Sequence, residues 1–188
     1  MSKRRVKLVE QDVGWGVFGA RCLDDMVWKL AWEIRNLERE EASITGPFQR
    51  DKEAEFAAFN CSIAAWHTLD WIWRASSQKK KKQISSTGSF KDFKAEMATE
   101  CRSLLICQNL CNSSKHASPG GNLSLRCIGQ FFVHDVSSRD MSFSLIIEVE
   151  EKELAAVSVF KEAGVFLFNK ILQWDLFEVL NEDDRLFE

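Results

Sequence analysis

Two short runs of polar residues carry the side chains best suited to chemistry. The first, Ala65-Trp-His-Thr-Leu-Asp-Trp71, places His67 and Asp70 three residues apart, which puts them on one face of a helix. An aspartate that orients an imidazole is the usual support of a general base. The same spacing also fits a buried polar pair whose hydrogen bonds are satisfied within a core. The sequence therefore leaves a catalytic and a structural interpretation open.

The second run, Gln108-Asn-Leu-Cys-Asn-Ser-Ser-Lys-His116, closes an otherwise apolar helix. In a catalytic interpretation His116 moves a proton, Lys115 stabilises an anion such as phosphate, and Asn112 positions either group. In a structural interpretation Lys115 and His116 offset the dipole at a helix C-terminus. An antiparallel arrangement of the two helices would hold the two runs apart, whereas a parallel crossing or a dimer would bring them together.

A run of four lysines marks a further candidate site. Lys79, Lys80, Lys81 and Lys82 lie in a Ser-, Gln- and Thr-rich stretch, residues 76–92, which predicts a mobile loop. Clustered ammonium groups can bind the phosphates of a nucleic acid because they release its counterions. Runs of like charge are also typical of a plain solvated loop.

The cysteines give little support to a metal site. The chain has six cysteines and no Cys-x-x-Cys pair. Cys107 and Cys111 are spaced for one helical face, with His116 beyond them, but structural zinc requires four well-placed ligands. We therefore expect these thiols to pack as small hydrophobic groups, and we predict neither a metal nor a cofactor.

Bulk composition indicates a single globular domain spanning residues 1–188. The chain is 45% hydrophobic and 28% charged, with a net charge of −3, and this length can bury a core without disulfides. Residues 1–92 carry +3 and residues 93–188 carry −6. This mild split favours self-association or a loosely held anionic partner over a dedicated nucleic-acid binder. No apolar run suggests a membrane span or a secretory leader, which predicts a cytoplasmic protein.

Hydrophobic periodicity predicts a mainly α fold, a bundle of about four helices with a β-hairpin inserted between the third and the last. The predicted helices cover residues 23–42, 51–75, 93–115 and 151–174, the hairpin covers residues 122–149, and residues 1–20 are irregular. The second helix has a broad apolar stripe, in which Phe56, Phe59, Ile63, Trp66 and Asp70 share one face and Ala57, Ala64 and Trp71 widen it. Such breadth predicts burial on several sides, at the centre of the bundle.

The pairing of the Ala65–Trp71 run with Cys101, Asn109, Asn112 and Lys115-His116 resembles a group of uncharacterised bacterial proteins that is similar to HEPN-like helical bundles. The resemblance covers about residues 50–117. It implies a helical bundle that often dimerises and that, in many members, is a metal-independent ribonuclease of toxin or antiviral-defence systems.

One position departs from the HEPN-like pattern. The family motif is an arginine followed, after four to six residues, by a histidine, and only His116 corresponds. Asn109, Leu110 and Cys111 stand where the arginine should fall. The missing guanidinium favours a non-enzymatic interaction or regulatory module, as a homodimer or with a protein partner. The polar helix end favours a ribonuclease, with RNA as substrate.

Overall fold

Six helices and a small antiparallel sheet make up the part of the chain that the computed structural model describes, residues 22–45, 52–113, 124–135, 140–180, 184, 186 and 187. In chain order the elements are α1 (Leu23–Ser43), α2 (Lys52–Ala75), α3 (Gln78–Ile84), α4 (Phe90–Glu100), α5 (Arg102–Ser113), β1 (Leu125–Asp135), β2 (Asp140–Val149), β3 (Lys152–Ala155) and α6 (Ala156–Gln173). The mainly helical class is confirmed. The irregular segment predicted for residues 1–20 lies outside the described residues.

The prediction of about four helices is wrong in two places. The predicted helix over residues 93–115 is two helices, α4 and α5, because the backbone of Cys101 between them is extended, with φ −126° and ψ 109°. The predicted loop over residues 76–92 contains α3 and the start of α4. Ser77 caps α3 by accepting the Lys80 N–H at 3.2 Å, and the lysines and glutamines that follow are good helix formers.

α1 buries the stripe that its sequence predicts. Leu23, Val27, Leu30, Ile34 and Leu37 are all nearly inaccessible to solvent, at three- and four-residue steps along one face. The N-terminal turn is closed by Asp25, whose carboxylate accepts the Cys22 N–H at 3.2 Å. In the described ranges no helix is both long and apolar enough to cross a membrane.

α2 lies at the centre of the bundle, in contact with α1, α5 and α6, but it buries only part of the predicted stripe. Its buried face consists mainly of small side chains, namely Ala54, Ala57, Ala58, Cys61, Ser62, Ala64, Ala65 and Thr68, with Trp66, Leu69 and Ile72. Of the predicted stripe, Trp66, Ala57 and Ala64 are buried, whereas Phe59 and Ile63 are half-buried and Phe56 is 64% exposed. Small residues occupy the helix–helix contacts of α2 because they let neighbouring helices approach closely.

The predicted hairpin is present and is extended by a third strand. β1 pairs antiparallel with β2, from Leu125 opposite Val149 onward, and β2 pairs antiparallel with β3. β2 packs on α1 and α6 and directs Phe143, Leu145, Ile147 and Val149 into the core. The turn into β3 has positive φ at Glu150 and Glu151, 49° and 67°. The predicted start of the last helix at residue 151 is therefore wrong, because residues 152–155 form β3. Asparagine and glycine usually occupy such a turn, so no turn residue announced β3.

α6 ends in a Schellman motif without a glycine. The N–H groups of Asp175 and Leu176 donate to the carbonyl oxygens of Leu172 and Ile171, at 3.0 and 3.1 Å. Asp175 takes the positive φ, 51°, that glycine usually adopts at this position. The motif turns the chain away from the helix axis and back toward α1.

The segment after α6 completes the core. The buried carboxylate of Asp24 accepts the consecutive N–H groups of residues 178–180, at 3.2, 2.6 and 3.1 Å. Leu186 and Phe187 are buried farther along. The Phe187 ring lies so close to Gly164 of α6 that a Cβ there would sit 2.5 Å from it. Gly164 is therefore required for this contact.

Candidate nucleic-acid interface

The four predicted lysines lie on a folded helix, together with cations from its neighbours. Arg74 at the end of α2, Lys79, Lys80 and Lys82 on α3, and Lys91 on α4 form what we call the basic surface. All are exposed except Lys80, which is half-buried. Residues 74–94 contain seven Lys or Arg and one Asp, a net charge of +6, so the other 167 residues together carry −9.

Trp73 holds the three parts of the basic surface together. Its ring centroid lies 5.7 Å from that of Phe90 and 5.4 Å from that of Phe93, both on α4. Trp73 also contacts α3: the Lys81 ammonium lies 5.3 Å from the Trp73 ring centroid, within cation–π range. The buried Ile84 anchors the end of α3. Lys81 thus attaches α3 to Trp73 of α2, whereas Lys79 and Lys82 are exposed to solvent.

The connection from α3 to α4 is fixed by hydrogen bonds to α4. The Ser86 N–H donates to the Glu96 carboxylate at 3.1 Å, and the Thr87 hydroxyl donates to Asp92 at 2.5 Å. Gly88 takes a φ of +69°, which side-chain-bearing residues rarely adopt. These bonds hold α3, and with it the basic surface, in one orientation relative to α4.

Asp70 is paired with a lysine of α4. The Lys94 ammonium lies 3.0 Å from the Asp70 carboxylate and 4.4 Å from the Trp66 ring centroid. Phe90 lies on another side of the same ammonium, at 5.1 Å. Asp70 thereby helps to bind α4 to α2, which is a structural role. His67 is half-buried on the same helix.

α5 packs along α2 and α6. Phe93 of α4 contacts Trp73, near the C-terminal end of α2, and α5 begins directly after α4. Cys107 in the middle of α5 and Cys61 of α2 belong to the same buried core.

Two of the predicted catalytic residues, His67 and Asn112, lie on different helices of the bundle, α2 and α5. Asn112 is half-buried in the last turn of α5. Lys115 and His116 lie outside the described residues.

The thiols pack as the sequence predicts. Cys61, Cys107 and Cys111 are completely buried, and burial raises the pKa of the Cys107 thiol well above its ordinary value. A thiol with a raised pKa stays protonated at neutral pH and is a poor nucleophile and metal ligand. The described part of the chain contains no group of three or more His, Cys, Asp and Glu side chains placed to hold a metal ion.

A cleft of about 380 Å³ lies beside the basic surface, between α3, α4 and α6. Its polar lining includes Lys82, Ser86, Glu96, Glu100 and Lys170. The Lys170 ammonium is paired with the Glu100 carboxylate, and Glu96 is bonded to Ser86. The two lysines and two glutamates of this lining balance in charge, so the cleft adds little to the attraction of the basic surface for an anion.

Two features of the protein surface, one in the basic surface and one on α1, were not predicted from the sequence. Arg74 and Lys91 are separated from the lysine run in sequence, although counting charge in a window of about twenty residues would have found the cluster. Trp28 and Trp32, four residues apart and outside the buried stripe of α1, are 46% and 56% exposed. Their position off the stripe was a visible sign of an outward-facing pair.

No family model, curated protein or solved structure matches the chain. The similarity to HEPN-like bundles stays a prediction from residues 65–71 and 101–116.

Proposed function

We propose that this chain is a helical RNA-binding domain that contacts the phosphate backbone through the basic surface. The observation that carries the proposal is the segregation of charge, +6 within residues 74–94 against −9 elsewhere. Lysine and arginine clusters bind nucleic acids by releasing condensed counterions. The rest of the protein is net negative and repels polyanions. We therefore infer that the cations concentrated in this one cluster serve to bind a polyanion there.

The arrangement of the rings favours contact with the backbone over reading of bases. Trp73 is covered by Lys81, and Phe93 is buried, so neither presents an open face on which a base could stack. Contacts to phosphates carry no sequence information. We therefore expect little base preference, and the HEPN-like resemblance supports RNA as the polyanion.

Binding of a fluorescein-labelled 20-nucleotide RNA, measured by anisotropy from 25 to 250 mM salt, tests the proposal. With five cations on the phosphates, the slope of log affinity against log salt is about −3.5 for a single strand. Lys79→Gln with Lys82→Gln removes two exposed charges and should reduce the slope by about 1.4.

A matched control removes two exposed cations from the sheet, Arg126→Gln with Lys152→Gln. Its net charge equals that of the α3 variant, so a purely global effect would weaken RNA binding equally in both. Equal losses, or an unaltered chain that binds no RNA at 25 mM salt, would contradict the proposal.

Cleavage of the bound RNA is a second candidate function. It is favoured by Asn112, which is only half-buried in the last turn of α5, so that this polar helix end can meet a ligand. The resemblance matches its motif histidine to His116, and the catalytic interpretation of this run gives His116 proton transfer, with Lys115 and Asn112 beside it. The His67 and Asp70 pair is the less favoured alternative, since Asp70 is bonded to Lys94.

RNA incubated with the protein in EDTA tests this candidate. His116→Ala should abolish cleavage and leave the anisotropy of bound RNA unchanged. RNA that stays intact with the unaltered chain would contradict the ribonuclease and leave the non-enzymatic module, whose RNA binding is measured separately.

A further inference from the structure

One side of α1 presents an amphipathic row of side chains to solvent. Asp25, Trp28, Trp32, Arg35 and Arg39, which we call the outer face of α1, occupy a stripe about 80° wide. Leu30 and Ile34 mark the opposite, buried side of the helix. The two tryptophan rings, about half exposed, form the apolar centre of the stripe.

The outer face has the composition of a protein interface. Tryptophan and arginine are enriched among residues that dominate binding energy, and exposed pairs of large rings are uncommon on isolated surfaces. The charges are ordered along the helix, with Asp25 at the N-terminal end and Arg35 and Arg39 toward the C-terminal end. A face that carries opposite charges at its two ends complements an inverted copy of itself.

We propose that the outer face of α1 is a homodimer interface, occupied by α1 of a second copy in antiparallel orientation about a two-fold axis at Trp32. In this arrangement residues whose numbers sum to 64 lie opposite each other. Arg39 then meets the second copy's Asp25, and the two Trp32 rings meet on the axis. Measured along the helix axis, Trp28 of one copy and Arg35 of the second copy then differ in height by only about 1.5 Å.

These contacts use the chemistry of each side chain. The Arg39 guanidinium, which donates to Asn36 at 2.5 Å within its own chain, has further N–H groups for a carboxylate. Arg35 donates to the Leu186 carbonyl oxygen of its own chain at 3.4 Å. Its planar guanidinium retains a face that can stack on the Trp28 ring of the second copy. The pairing is isologous, so each contact occurs twice and the assembly closes as a dimer.

Sedimentation velocity from 1 to 200 µM gives the first test. The full chain should show a concentration-dependent monomer–dimer equilibrium. Trp32→Glu places two carboxylates on the axis and should raise the dimer Kd about thirtyfold or more. Phe56→Glu, which alters an equally exposed ring on α2, should leave the Kd unchanged. A monomer at every concentration, or a dimer that Trp32→Glu does not weaken, overturns the proposal.

Reversal of charge tests the antiparallel register. Arg39→Glu and Asp25→Arg should each weaken the homodimer, because each places like charges opposite one another. An equimolar mixture of the two variants should form a heterodimer, seen by native mass spectrometry, because both charge pairs are restored. A mixture that stays monomeric, with both variants showing unaltered circular dichroism, overturns this register.

Crosslinking gives a test that does not depend on Asp25, which also caps the helix. In a Cys127→Ser background, Trp32→Cys should form an intermolecular disulfide under mild oxidation, because the two sulfur atoms meet on the axis. Phe56→Cys in the same background should give no more crosslinked dimer than the background itself. Equal crosslinking of the two variants overturns the placement of the axis.

Discussion

α1 and α2 pack against each other, yet they solve the problem of burial in opposite ways. α1 buries large aliphatic side chains and turns its tryptophans outward. α2 buries alanine, serine, threonine and cysteine and keeps Phe56, Phe59 and Ile63 at its edge. The difference follows from their neighbours: α2 packs mainly against three other helices, α1, α5 and α6, and close approach on several sides favours small side chains.

The comparison shows that hydrophobicity and burial are separate properties of a helix position. An alanine contributes little to a hydrophobic pattern, but in α2 it marks the positions of closest packing. The aromatic residues of α2 dominate its pattern, and only Trp66 among them is buried. For a helix that is surrounded by others, the row of small residues is therefore the better guide to the buried face.

The largest expected effect contrasts one buried and one exposed apolar residue of this pair. Leu30→Ala on α1 should reduce the free energy of unfolding by about 3 kcal/mol, because it leaves a cavity in a closely packed core. Phe56→Ala on α2 removes a larger side chain but should cost about 0.5 kcal/mol or less. Urea denaturation followed by circular dichroism measures both, and equal losses would contradict the assigned faces.

A smaller effect is expected from enlarging the α2 face. Ala65→Leu adds three carbons at a completely buried position and should destabilise the fold by about 1–3 kcal/mol through overpacking. Ala75→Leu, at an exposed position of the same helix, is the matched control and should change stability little. A neutral Ala65→Leu would mean that α2 is loosely packed.

The smallest effect concerns the end of α1. Burial raises the pKa of Glu41 above its ordinary value; the Leu145 N–H, which its carboxylate accepts at 2.8 Å, opposes this, and the charge of Glu38 adds to it. With a folded-state pKa above the unfolded one, Glu41 favours folding at acid pH and loses that contribution as pH rises.

Glu41→Gln removes this ionisation and should be more stable than the unaltered chain at pH 7. The advantage should disappear below about pH 4, where the carboxyl is protonated in both states. Urea midpoints of the two chains across pH 3–8 measure the difference. A difference that does not change with pH would mean that the ionisation of Glu41 is not its cause.

Elements with strong local signals could be predicted, and those set by backbone geometry could not. The stripe of α1 and the extent of α2 agree with their sequence patterns to within one residue at each end. The break at Cys101 has no glycine or proline to announce it, and the turn at Glu150 and Glu151 uses residues that are uncommon at positive φ. Ser77 before the lysine run was a readable helix cap.

The candidate sites depended on contacts between distant residues. Asp70 could be identified as a polar residue of interest, but its partner Lys94 is 24 residues away and no spacing rule indicates it. The lysine run could be predicted as a phosphate contact, and a count of charge would have added Arg74 and Lys91, whereas the packing of Trp73 against α3 and α4 has no sign in the sequence.

The bonds from Asp24 to residues 178–180 join positions 154 to 156 residues apart, and this separation has a consequence for synthesis. On the ribosome, α1 emerges long before residues 178–180, and its Asp24 carboxylate receives these N–H groups only when that later segment has been made. The Phe187 ring reaches its place against Gly164 later still. The nascent chain therefore completes this part of its core only after residues 178–187 have emerged, and a chain cut short before residue 178 would be released with α1 not yet bonded to that segment.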